Sequence, residues 1–122
     1  MTTSPVEYAL DGDIAVLAMD DGKANALAPA MSEGLAAGLD RAEREACAVV
    51  IKGRPGVLCG GYDLKIIRGD DDSLRARMRD LGTDLMLRLY LLPIPVVYAC
   101  TGHSVAAGAI LLMAGDARIG AA

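Results

Sequence analysis

Two glycine-containing turns carry most of the chemistry this sequence can offer. One is Cys59-Gly60-Gly61-Tyr62-Asp63-Leu64-Lys65, where paired glycines follow the apolar pair Val57-Leu58; the other runs from Gly102 through Ser104, Ala106 and Ala107 to Gly108. Glycine allows positive φ and lets a ligand approach the main chain closely. A strand delivering the chain to a small-residue turn that opens a helix leaves backbone N–H groups without intrahelical partners, beside the positive end of the helix dipole. Two such donors, one from each turn, make an oxyanion hole. The alternative for either turn is close packing of a helix on a sheet.

Few side chains compete with that reading. Cys100 precedes His103 by three residues, a pairing that suggests a thiol nucleophile for acyl transfer, whereas a position at the end of a buried strand suits an inert core thiol. Cys59 reads as packing. His103 reads as a turn histidine bonded to backbone, with a ligand-facing role as the alternative. Asp63 and Asp116 are expected as hydrogen-bond acceptors at a turn and a helix end rather than as bases. The run Asp70-Asp71-Asp72 fits a helix start or a mobile surface loop better than a metal site, which needs convergent oxygens, so no metal is expected. The segment Gly102 to Gly108 lacks the Lys-Ser/Thr pair of a phosphate-binding P-loop.

The elements that must hold these turns follow from the patterning. Val6–Leu10 and Ile14–Met19 are apolar runs around Asp11-Gly12-Asp13, a hairpin composition. Asp20 to Leu27 is polar and small, a loop. Pro29 suits the first turn of a helix with Met31, Leu35, Leu39 and Ala42 on one face. Ala48–Ile51 reads as a strand buried on both faces. Ser73 is placed to cap a helix of about 18 residues carrying Leu74, Met78, Leu81, Leu85 and Leu89, closed by Pro93. A strand after Pro95 leads into the second turn, an apolar helix follows it, and Ala117-Arg118-Ile119 begins another strand.

Composition narrows the classes. The chain has 122 residues, 53% of them hydrophobic, with 14 glycines and neither Trp nor Phe, so its interior must be closely packed from small and aliphatic residues. The net charge of −4, without a block of Lys or Arg, speaks against nucleic-acid binding. Three separated cysteines, Cys47, Cys59 and Cys100, make neither a disulfide framework nor a zinc site and fit a reducing cytoplasm. The Met1-Thr2-Thr3-Ser4-Pro5 start lacks a signal-peptide pattern, and the apolar stretch from Leu81 is interrupted by Asp84, Arg88, Pro93 and Pro95, so a soluble protein without a membrane segment is expected.

The motifs also resemble those of a known family. Gly60-Gly61-Tyr62-Asp63-Leu64-Lys65 is similar to the first signature of the crotonase (enoyl-CoA hydratase/isomerase) superfamily. Pro95 through Gly102 and Gly108 to Asp116 resembles the second, and Asp21-Gly22-Lys23-Ala24-Asn25-Ala26-Leu27 its N-terminal loop. The resemblance implies an α/β fold, a ClpP/crotonase-like spiral of β-β-α units, with residues 1–122 as the N-terminal part of an acyl-CoA-binding domain incomplete at its C-terminus. It implies an acyl-CoA thioester as substrate, no separate cofactor, and a trimer or hexamer. Tyr62 and Ala107 would supply the two N–H donors. Gly61, Asp63, Leu64, Lys65 and Gly108 would bind the substrate, with Lys23 near the nucleotide end of the coenzyme. The sequence departs from the hydratase pattern at Ile110, where a catalytic Glu is usual, and at Ala106-Ala107, which replace two of three glycines. An isomerase-like or atypical enzyme is one expectation, a non-catalytic acyl-CoA-binding subunit the other. Tyr62 suggests a narrower entrance than a small residue would leave.

Overall fold

The computed structural model describes residues 4–120, so Met1–Thr3, which the targeting argument included, and Ala121–Ala122 lie outside the described residues. The chain opens with the expected hairpin, β1 (Val6–Asp11) against β2 (Ile14–Met19), antiparallel in register from Val6↔Met19 to Asp11↔Ile14. Gly12 sits in its two-residue turn at φ +60°, the conformation that a primed hairpin turn demands. Helix α1 (Pro29–Glu45) starts at the proline and buries Met31, Leu35, Leu39 and Ala42, the face expected of it. It returns the chain to β3 (Ala48–Lys52), parallel to β2.

From β3 onward the chain repeats one pattern. A strand joins the large sheet, a short strand joins a second sheet, and a helix follows. The first repeat is β3, β4 (Gly56–Cys59), then α2 (Leu64–Arg68) and α3 (Asp72–Leu91); the second is β5 (Val96–Cys100), β6 (Gly102–Ser104) and α4 (Ala107–Met113), before β7 (Ala117–Gly120). The five-stranded sheet has the order β1-β2-β3-β5-β7, parallel apart from the hairpin, and β4 pairs with β6 in a parallel two-stranded sheet. This is the α/β succession of β-β-α units that the motifs imply.

The core lies between one face of the large sheet and helices α1 and α3. Leu17, Met19, Val49, Ile51, Val96 and Tyr98 meet Met31, Leu35, Leu39, Leu85 and Leu89, all fully or almost fully buried. Burying apolar surface at about 25 cal/mol per Å² makes this layer the main source of stability. Three expectations need correction. Strand β3 is not buried on both faces: Ala48 and Val50 are half-buried, because the helices pack on the face that carries Val49 and Ile51. Helix α3 is capped by Asp71, whose carboxylate accepts from the N–H of Leu74 at 2.9 Å, and Ser73 lies inside the helix. Strands β4 and β6, read from sequence only as parts of the two turns, are genuine strands.

Candidate functional site

The pairing of β4 with β6 brings the two turns together. Gly56 lies opposite Gly102, Val57 opposite His103 and Cys59 opposite Ser104, with a register shift between Val57 and Cys59. The backbones approach too closely for side chains. A Cβ added to Gly102 would stand 2.0 Å from the carbonyl carbon of Gly56, and one on Gly108 would stand 2.4 Å from the carbonyl oxygen of Cys59. The Val105 N–H then donates to the Cys59 carbonyl at 3.0 Å. Gly61 has φ +91°, and a Cβ there would lie 3.4 Å from the nitrogen of Ala107. Gly61 and Ala107 are therefore neighbours.

Among the described residues, neither the Tyr62 nor the Ala107 N–H donates to a backbone or capping acceptor. An amide in that condition is poised to bond something else. Ala106, directly before Ala107, adopts φ 53° and ψ −122°. Glycine enters this region freely, whereas an alanine held there stores about 1–3 kcal/mol.

A third segment fixes the first turn. Asn25, fully buried and itself at φ 52°, donates from Nδ2 to the carbonyls of Met19 at 2.9 Å and Leu58 at 3.1 Å. Its Oδ1 accepts from the N–H of Asp21 at 3.0 Å and from Arg54 at 3.1 Å. Gly60 N–H donates to Ala24, and Leu27 N–H to the Gly61 carbonyl. Arg54 also reaches the carboxylate of Asp20 at 3.2 Å and the carbonyl of Lys23. Sequence reasoning quoted Asn25 within the loop but gave it no role. Its signal is an asparagine in a small polar loop, since Asn tolerates the left-handed region better than most residues. Arg54 left no comparable mark.

Lys23, Tyr62, Asp63, Leu64 and Lys65 line one cavity of about 230 Å³, with Asp21, Ala24, Ala26 and Gly60 completing its wall. Ala107, Gly108 and Gly61 are buried and do not line this cavity; Ala107 lies against Gly61, which stands in the chain between the lining residues Gly60 and Tyr62, and Gly108 lies against Cys59. The carboxylate of Asp63 caps α2 by accepting from the Lys65 N–H at 2.9 Å. Asp116 accepts from the Val96 N–H at 2.7 Å. Both are the structural acceptors expected of them. Cys59 is buried, and burial pushes its thiol above the ordinary value, so it stays protonated and serves packing. Half-buried Cys100 and exposed His103 line a separate open groove of about 370 Å³. Among the described residues, no hydrogen bond is present to orient the His103 ring. A larger groove of about 630 Å³, lined by Glu7, Ala18, Lys52 and Arg54, lies by the C-terminal ends of β2 and β3.

Residues 10–122 match the family model described as enoyl-CoA hydratase/isomerase. The chain belongs to the enoyl-CoA hydratase/isomerase family. A probable enoyl-CoA hydratase of Rhodobacter capsulatus is 34% identical over 122 residues, covering 99% of this chain and 48% of that protein. One from Bacillus subtilis is 31% identical, covering 95% and 46%. Among solved structures, the probable enoyl-CoA hydratase EchA3 of Mycobacterium tuberculosis H37Rv superposes with a TM-score of 0.90 at 48% identity, over 93% of this chain and 49% of that one. An enoyl-CoA hydratase/isomerase family protein from Pseudomonas syringae gives a TM-score of 0.90 at 40% identity, over 95% and 50%. The chain spans about half the length of the curated relatives it matches. Its α4 carries Ile110, 55% exposed. Among the described residues, no helix is long and apolar enough to cross a membrane.

Proposed function

We propose that this chain forms the coenzyme-binding half of an acyl-CoA enzyme of the enoyl-CoA hydratase/isomerase type. A thioester carbonyl oxygen accepts hydrogen bonds from the N–H groups of Tyr62 and Ala107. When chemistry at Cα or Cβ turns the thioester toward an enolate, negative charge grows on that oxygen, and two fixed amide dipoles stabilise it without reorganising. Gly61 and Gly108 let the turns close on each other. Asp63 and Leu64 shape the wall of the cavity, and Lys65 and Lys23, exposed on its rim, attract the phosphates of coenzyme A as point charges. The observation that carries the reading is that Gly61, the residue before Tyr62, lies against the nitrogen of Ala107, so that two turns distant in sequence come together next to a cavity bearing two lysines.

Ile110 cannot move a proton, so the proton-transfer group stands elsewhere in the assembled enzyme. The same residue supports a second reading, an acyl-CoA-binding subunit without turnover. The family's usual setting, a cytoplasmic trimer or hexamer acting in fatty acid metabolism, is part of the first reading. Titration with acetoacetyl-CoA and assays of 2-enoyl-CoA hydration and 3-enoyl-CoA double-bond migration separate the two. Binding with turnover supports the enzyme, binding without turnover supports the subunit, and absence of binding overturns both. Ala107→Pro removes one donor at the first residue of α4, where proline suits the helix start. The expected result is a fall of about 10²–10³ in kcat; unchanged kcat would reject the oxyanion assignment.

A further inference from the structure

Tyr62 has a second contact that its backbone role does not require. Its phenol lies against Gly82 of α3: a Cβ added to Gly82 would stand 2.6 Å from the hydroxyl oxygen and 2.7 Å from Cε1 of the ring. Gly82 is buried in the middle of a 20-residue helix, where glycine costs about 1 kcal/mol relative to alanine. The missing side chain leaves a notch, and the phenol fills it. Tyr62 also forms part of the cavity wall with Ala26, Leu64 and Gly60. Tyr62 thus stands between the helix and the cavity, on a backbone held at the two residues before it, where the Gly60 N–H donates to Ala24 and the Gly61 carbonyl accepts from Leu27.

We propose that Gly82 is a specificity-determining residue: its notch holds the Tyr62 phenol against α3 and so sets the room left for the acyl chain. The proposal rests on the acyl-CoA reading of the preceding section. The atoms that a Cβ at position 82 would strike belong to the far end of a side chain, not to backbone. Gly82→Ala therefore displaces the ring rather than the fold, and the helix itself gains from alanine. With α3 closed to it, the phenol moves toward the cavity, and the loss falls on long acyl chains before short ones.

The test compares kcat/KM for a four-carbon and a ten-carbon 2-enoyl-CoA, with Kd replacing kcat/KM where the protein binds without turnover. Gly82→Ala is expected to lower the long-to-short ratio by about tenfold, the scale on which an apolar pocket resolves a methylene group. Tyr62→Ala keeps the N–H and removes the ring; the expected result is a raised ratio. In the Tyr62→Ala background, Gly82→Ala is expected to leave the ratio unmoved, which ties the effect to the phenol rather than to the helix. An unchanged ratio in Gly82→Ala, or an equal shift with and without the ring, overturns this proposal alone. A parent protein that binds no acyl-CoA overturns it together with the reading beneath it.

Discussion

The turn after β4 and the turn after β6 share a design and differ in what holds them. The first is fixed from outside: Asn25 and Ala24, on the Asp20–Leu27 loop, bond Leu58 and Gly60, and the residue at positive φ is a glycine, Gly61. The second leans on the first. Val105 bonds back to Cys59, Gly102 and Gly108 press on the backbone of β4, and the residue at positive φ is an alanine. Position therefore flows one way, from the buried asparagine to the first turn and from there to the second. Damage to the loop should reach both turns. Damage to the second should stay local.

The largest expected effect tests the first half of that statement. Asn25→Ala removes two donors and one acceptor from a fully buried site and leaves the carbonyls of Met19 and Leu58 without those partners. Each buried group so orphaned costs about 1–3 kcal/mol, and alanine is also less at ease than asparagine at positive φ. A loss of about 3 kcal/mol in urea unfolding is expected. Hydrogen exchange should quicken at Gly60 and Leu27 and equally at Val105. Protection retained at Val105 would show that the second turn holds itself.

Gly108→Ala comes next and tests the converse. Its Cβ would meet a backbone oxygen that cannot swing aside, so β4 and α4 must part at a cost of about 2 kcal/mol, within the range for overpacking. The gap between the Tyr62 and Ala107 amides then widens, and acyl-CoA binding is expected to weaken. Exchange at Gly60 and Leu27 should stay slow. Faster exchange there would erase the asymmetry between the turns.

What could be read from the sequence follows the same division. Long periodic segments declared themselves: the Met31-Leu35-Leu39-Ala42 face of α1 and the Met78-Leu85-Leu89 face of α3 stand where the spacing put them. The two glycine turns were legible because their composition has few other uses. Strands β4 and β6 were not, since strands of four and three residues bounded by glycine are too short to show alternation. The Asn25 hub and the Tyr62–Gly82 contact were hidden for another reason. They join residues far apart in sequence: the small polar loop marks Asn25 as suited to positive φ, but nothing local shows that it bonds Leu58 or that Gly82 faces Tyr62.

The smallest effect sharpens the comparison at its most specific point. Ala106→Gly makes the second turn match the first by placing glycine at its positive-φ residue. Relief of strain is worth about 1–3 kcal/mol, and the extra freedom that glycine brings to the unfolded chain returns about 0.4–1 kcal/mol. The balance is a gain of about 1 kcal/mol, read as a higher urea midpoint with an unchanged slope. The methyl of Ala106 would lie 3.2 Å from a Cβ on Gly61, so in the native protein it faces the glycine at the positive-φ position of the first turn. A midpoint that fails to rise would therefore mean that this methyl group contributes as much by packing against the first turn as its backbone loses in strain. The second turn would then be tied to the first by a side chain as well as by backbone, and the two turns would differ in kind rather than in degree.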